Sequence, residues 1–214
     1  NTFSIGVLQS NLVKYSPKLP SWKISAIRKR KMVDYAPMYI KWPGNFWRRL
    51  RSRGNLIFLD DRMGYFPWAK NLNHHRKYFR RSNIWRVDVV DGLARKIQSQ
   101  SMDKTMDEFV NNKMKKYRFR RTIPNFRLPK PTDMIISNWT NNEYVRGGFS
   151  YWNKEFTMRD WRNLKQNVSN LYFCGEATSF KEFVTVFGAY LEGTYTAHKV
   201  RNLMGKSIIS RDIY

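Results

Sequence analysis

The sequence predicts an α+β protein, and three observations carry that expectation. β-Branched and aromatic runs recur closely enough to make one sheet rather than isolated hairpins. Two longer stretches place their apolar residues at spacings of three and four, as helices do. Finally, 214 residues with eight Trp, twelve Tyr and fourteen Phe are enough for one good core or two small domains.

Strands are expected at Val33–Trp42, Asn55–Asp60 and Ile84–Val90, each bounded by glycine or charge. Gly64-Tyr65-Phe66 is expected to open another extended piece ending near Trp68, and Asp133–Trp139 returns to strand character. Thr2–Gln9 alternates enough to read as a strand. After a linker marked by Pro17 and Pro20, Trp22–Arg30 reads as a short helix, capped by Ser21, with Ile24 and Ile27 facing inward.

Two helices are expected beyond Val90, the second better defined. Thr105 and Glu108 form a capping box, and Met106, Phe109, Val110, Met114 and Tyr117 make one apolar stripe. Lys113, Lys115 and Lys116 fall at its C-terminal end, where positive charge is favoured without any ligand. Arg118–Lys130 is basic and proline-broken, a loop or edge connection. Gly147-Gly148 is a turn feeding Phe149, Tyr151 and Trp152, and Thr157–Leu164 is a short helix.

The most informative stretch is Asn170–Gly205. Leu171–Cys174 has strand character, Gly175 breaks it at a turn, and a helix follows from about Val184. Val186, Tyr190, Gly193, Ala197, Val200 and Met204 share one face of that helix. Gly188 and Gly193 each cost it about 1 kcal/mol relative to Ala, so a close approach to the backbone is expected there. A turn carrying Glu176, faced by the positive end of a helix, suits an anionic or electron-rich ligand.

The charge is unusual, with 40 Lys and Arg against 16 Asp and Glu and a net +24. Basic residues concentrate at Arg28–Lys31, Arg48–Arg53 and Lys113–Arg121. Such an excess is what a nucleic-acid or anionic-surface binding module would show, although no DNA- or RNA-reading motif accompanies it. Solvated faces are the simpler account of it. The single cysteine, Cys174, excludes an internal disulfide and reads as a core residue. No apolar run reaches eighteen residues, so no membrane span is expected. Asn1-Thr2-Phe3-Ser4 is neither an initiator methionine nor a signal peptide, and the chain reads as a piece of something longer. His74, His75 and His198 lack carboxylates or cysteines at metal-ligand spacing, and Asp60, Asp61, Asp88 and Asp91 are explained by charge pairing.

Leu171-Tyr172-Phe173-Cys174-Gly175-Glu176-Ala177-Thr178-Ser179, followed by Thr185-Val186-Phe187-Gly188-Ala189-Tyr190-Leu191-Glu192-Gly193, resembles the C-terminal flavin signature of the FAD-dependent amine oxidases, with polyamine oxidases as the nearest branch. The likeness extends to Leu19-Pro20-x-Trp22-Lys23-x-x-Ala26-Ile27 and to Trp139 followed by Gly147-x-Phe149-Ser150-x-Trp152. It implies part of a two-domain flavin amine oxidase: residues 1–16 leading out of the FAD domain, 17–140 in the substrate domain, 141–206 returning to the FAD domain, and 207–214 as a tail.

The resemblance further implies oxidation of an amine or polyamine by hydride transfer to FAD, with O2 as reoxidant. Gly175, Glu176, Thr185, Val186 and Trp139 would contact the cofactor, and Phe149 and Thr185 would flank the substrate. Gly148 stands where monoamine oxidases carry their flavin-linked cysteine, so FAD would be non-covalent. The family's lysine near the flavin falls at Pro37, and Lys41, on the same strand face, lies roughly 13 Å away. Val184 and Phe187 replace a small residue and a histidine. The N-terminal Gly-x-Gly-x-x-Gly that holds the ADP half of FAD does not occur. By this reading the enzymatic activity belongs to the family, while this chain alone is inactive and needs the missing N-terminal half to bind FAD tightly.

Overall fold

The computed structural model describes residues 1–44, 46–49, 54–74, 78–115 and 127–205. They fall into two units, Asp34–Asn142 and, around that insertion, Asn1–Val33 with the segment from Glu143 onward.

The inserted unit is built on an antiparallel five-stranded sheet. Its strands are β2 (Tyr35–Lys41), β3 (Asn55–Ile57), β4 (Trp68–Asn71), β5 (Ile84–Val90) and β6 (Asp133–Ile136), in the order β3-β4-β5-β2-β6. Period-two alternation in β5 sends Trp85, Val87 and Val89 into the core, where they meet Ala36, Met38 and Ile40 of β2. Ala94 and Ile97 of helix α3 (Asp91–Ser99) join the same core, as does Phe109 at the end of α4 (Met102–Phe109). At the edge of this core Trp42, Phe46, Trp47 and Trp85 interlock, with Trp42 and Trp85 edge to face at 6.2 Å. Large buried side chains of this kind stabilise a fold by about 1.5–3 kcal/mol each.

Pro37 is buried in β2, opposite Asp88 of β5. It is tolerated because a proline keeps its acceptor: the Pro37 carbonyl takes hydrogen bonds from the amide and hydroxyl of Ser137 at 3.1 and 3.3 Å. Of the four acids expected to be charge-paired, two are seen so: Asp88 with Arg86, accepting also from the Tyr35 hydroxyl, and Asp60 with Arg62 and Lys113.

Several sequence expectations are corrected here. The piece opening at Gly64 is a turn, with Gly64 and Phe66 both in the left-handed region, and the strand begins only at Trp68. Ser101, not Thr105, caps α4 by accepting from the Lys104 amide. Thr105 is buried one turn on, and Glu108 pairs with Lys96. Val110–Met114 continues α4 as a wider π-helical turn, which buries Lys113 against Asp60 at 2.9 Å instead of leaving it solvated at a helix end. Tyr117, Lys116 and most of the Arg118–Lys130 loop lie outside the described residues.

In the other unit, Thr2–Gln9 is not a strand. Ser4 accepts from the Val7 amide and starts a single helical turn, α1 (Ile5–Leu8). The next helix, α2 (Ser21–Lys29), begins one residue earlier than expected, with Pro20 at the cap position and Ser21 already helical. Leu171–Cys174 forms no ladder beyond one bridge from Leu171 to Val168. It pairs instead with the chain's first residue: the Cys174 amide donates to the Asn1 carbonyl at 3.0 Å. α5 (Met158–Lys165) carries a full capping box between Thr157 and Asp160.

Candidate functional site

Short β1 (Lys31–Val33) pairs antiparallel with β7 (Phe149–Tyr151), placing Ser150 opposite Met32. The approach to β7 requires glycine. Gly147 has φ +136°, and a Cβ there would sit 2.5 Å from the Met32 side chain. Ser150 is buried, and through it the strand reaches the signature turn. Its amide donates to Glu176 Oε1 at 2.9 Å and its hydroxyl donates to Oε2 at 3.0 Å.

Gly175, at φ +135°, ends the extended run and lets the chain turn through a short 3-10 helix, Glu176–Thr178. The Glu176 carboxylate takes a third hydrogen bond, from the Val184 amide at 3.0 Å. Two residues further on begins α6 (Val186–Leu203), with Thr185 as its cap: the Thr185 hydroxyl accepts from the Gly188 amide at 2.9 Å. Gly188 is compulsory, since a Cβ would lie 1.9 Å from the Glu182 carbonyl oxygen. The close backbone approach expected of the helical glycines is therefore internal at Gly188, whereas a Cβ on Gly193 would meet nothing within 4 Å. The expected face of α6 is turned outward, with Val186 89% exposed, and Gly188 is the helix's single buried residue. Val186 and Phe187 precede the first intrahelical bond, so their amides are donors with no helical acceptor.

Beside this turn lies a cavity of about 360 Å³. Phe173, Cys174, Gly175 and Glu176 form one wall, and Ala189 and Gly193 of α6 another. Cys174 is half-buried against this space instead of being a core residue. Among the predicted site residues, Gly175 and Glu176 line the cavity, and Thr185 and Val186 stand at the start of α6, tied to Glu176 through Val184. Phe149 neighbours Ser150 on β7, and by strand alternation points to the opposite face. Trp139 belongs to the inserted unit and is 43% exposed.

In this unit, sequence reasoning missed two buried cations. Lys23 donates to the carbonyls of Asn163 and Leu164 at 2.7 and 2.9 Å and to that of Gln166, closing the C-terminal end of α5, and it lies over the Phe173 ring. Burial pushes its pKa down to about 7. Arg30 is fully buried, its Nε donating to the Ser150 hydroxyl at 3.1 Å. Burial lowers its pKa to about 10 while the negative charge of Glu176 opposes that fall. One signal was available: Lys23, Ala26, Ile27 and Arg30 fall at i, i+3, i+4 and i+7, on the inward face. Among the described residues no cluster of His, Cys, Asp or Glu is placed to hold a metal ion; His75 lies outside them. No helix there is long and apolar enough to cross a membrane.

A family model described as flavin containing amine oxidoreductase matches residues 2–201. The chain belongs to this family. Polyamine oxidase 1 of Zea mays is 31% identical over 206 residues, spanning 96% of this chain and 39% of the relative. Polyamine oxidase 7 of Oryza sativa subsp. japonica is 32% identical over 193 residues, spanning 90% and 39%. Putrescine oxidase, solved with putrescine bound, superimposes with a TM-score of 0.73 at 14% identity, covering 94% of this chain and 42% of that one, which shows a shared fold. This flavin amine oxidase chain thus spans about two fifths of the length of the relatives it matches.

Proposed function

We propose that this chain supplies the flavin-ring and substrate side of an FAD-dependent, polyamine oxidase-like enzyme, completed by an N-terminal half that carries the dinucleotide fingerprint. The observation behind this reading is the convergence of the signature on one cavity: the Gly175-Glu176 turn, Gly193 and the start of α6 all border or adjoin it. The residues present fit the ring end of the cofactor. An apolar wall suits an aromatic ring system, Gly193 presents backbone with no neighbour where a side chain would intrude, and the Val186 and Phe187 amides offer donors to a polar edge.

When bound, FAD would accept the hydride of the amine and return electrons to O2. The protein's share is placement. Gly175 and Glu176 would shape the sugar-side wall, the Thr185-Val186 amides would meet the ring's edge, Trp139 would pack near the flavin, and Phe149 and Thr185 would flank the amine. Binding is non-covalent on this reading, because Gly148 offers no nucleophile. A net +24 disfavours approach of a polyamine unless acids on the N-terminal half offset it. Alone, the chain is proposed to be inactive.

Co-expression with an N-terminal half bearing the dinucleotide fingerprint should yield a yellow complex with flavin absorbance. A stable complex without flavin would overturn the reading.

A further inference from the structure

We propose that Arg30 is a positioning residue: acting through Ser150, its buried guanidinium fixes the Glu176 carboxylate so that it holds the Val184 amide and sets the start of α6. The chain of contacts is continuous. Arg30 Nε donates to the Ser150 hydroxyl, the hydroxyl and amide of Ser150 donate to the two oxygens of Glu176, and Oε2 accepts from Val184.

A buried guanidinium is costly to keep when unpaired. Nη1 and Nη2 of Arg30 find no hydrogen-bond acceptor, and the group sits among the rings of Phe156 and Phe183 at 5.1 Å and Trp152 at 5.5 Å. An apolar side chain would fill that enclosure at less cost if filling were its only task. What an apolar side chain could not supply is the hydrogen bond to Ser150 or the positive charge facing Glu176. The same guanidinium reaches the target by a second route, because the Phe183 ring packs over it and Val184 follows directly in sequence.

Val184 explains why such a grip is needed. It is β-branched, yet held at φ +74°, a conformation that L residues avoid and that persists only where surroundings enforce it. Arg30 and Glu176 therefore clamp residues 183–184 from both sides, and Thr185 hands that geometry on to α6. This inference rests on the flavin reading for its purpose, since the fixed amides are those proposed to meet the ring.

The test is hydrogen exchange of segment 182–190 in Arg30→Met, Ser150→Ala, Glu176→Gln and the double variant Arg30→Met/Glu176→Gln. In Arg30→Met that segment should exchange about tenfold faster, as in Glu176→Gln, with no further gain in the double variant and unchanged protection in β5 of the other unit. Arg30→Lys, which keeps one donor and the charge, should restore most of the protection. Unchanged exchange in 182–190, or additive effects in the double variant, would overturn the proposal. Should Arg30→Met fail to fold, Ser150→Ala cuts the same relay with a smaller change and decides it. In the complex with the N-terminal half, Arg30→Met should weaken FAD affinity about tenfold and Arg30→Lys by much less. A complex that never takes up flavin would sink the functional reading, while the exchange result would still judge the relay.

Discussion

Val184 gives the sharpest stability test, because its backbone inverts an ordinary ranking. Replacing it by Ala or by Gly removes the same branched side chain, which is 41% exposed, so packing losses largely cancel between the two variants. They differ in the backbone. At φ +74° an L residue carries about 1–2 kcal/mol of left-handed strain that Gly does not. Against this, Gly loses about 0.5–1 kcal/mol more conformational freedom on folding. The balance favours Val184→Gly over Val184→Ala by roughly 0–1.5 kcal/mol, centred on about 0.75. Ala197, exposed within α6, is the control: Ala197→Gly should destabilise by about 1 kcal/mol. Urea denaturation of the three variants, with comparable m-values, reads both differences. If Val184→Ala proves the more stable of the pair, the left-handed backbone at 184, and the clamp inferred from it, are wrong.

Other outcomes follow from the same geometry. Gly188→Ala should cost about 1–3 kcal/mol, because its Cβ would overlap the Glu182 carbonyl. Gly193→Ala should stabilise α6 by about 1 kcal/mol and yet reduce flavin uptake by the complex; equal flavin content would remove Gly193 from the site. Lys23 binds its proton less tightly in the folded chain, at about 7, than its ordinary 10.5. Between these values the unfolded chain holds more protons, so stability should climb as pH rises from about 7 towards 10.5, and Lys23→Met should flatten that slope in pH-dependent denaturation. Pro37→Lys would place an ammonium opposite Asp88, a partner able to accept it. In the complex it should raise amine-dependent peroxide production; an unchanged rate would mean that activity is limited elsewhere.

Much of this molecule was legible in one dimension because the relevant signals are local. β-Branched and aromatic runs placed β2 and β5, the expected helix over Thr157–Leu164 matches α5 to within a residue, and α6 began within two residues of its expected start. The fixed spacing from Leu171 to Gly193 pointed to the family, and with it to Gly175, Glu176, Thr185 and Val186. The errors arose where a local signal had a competitor. Thr2–Gln9 alternates, but a serine hydroxyl satisfies the Val7 amide and a helical turn wins. Leu171–Cys174 has strand composition, yet the partners it finds are one bridge to Val168 and the backbone of Asn1.

From residue order alone came the types of β2, β5, α5 and α6, the turns at Gly147 and Gly175, and the kinship, since each depends on neighbours a few positions apart. Tertiary structure alone decided which charges leave water. Arg30 lies in a basic run that reads as solvated surface, and only folding sets Ser150, 120 residues away, against its Nε, with Glu176 beyond. Helical spacing turns Lys23 and Arg30 inward, but whether a cation can stay buried depends on long-range partners that make its desolvation bearable, and no local pattern names those partners.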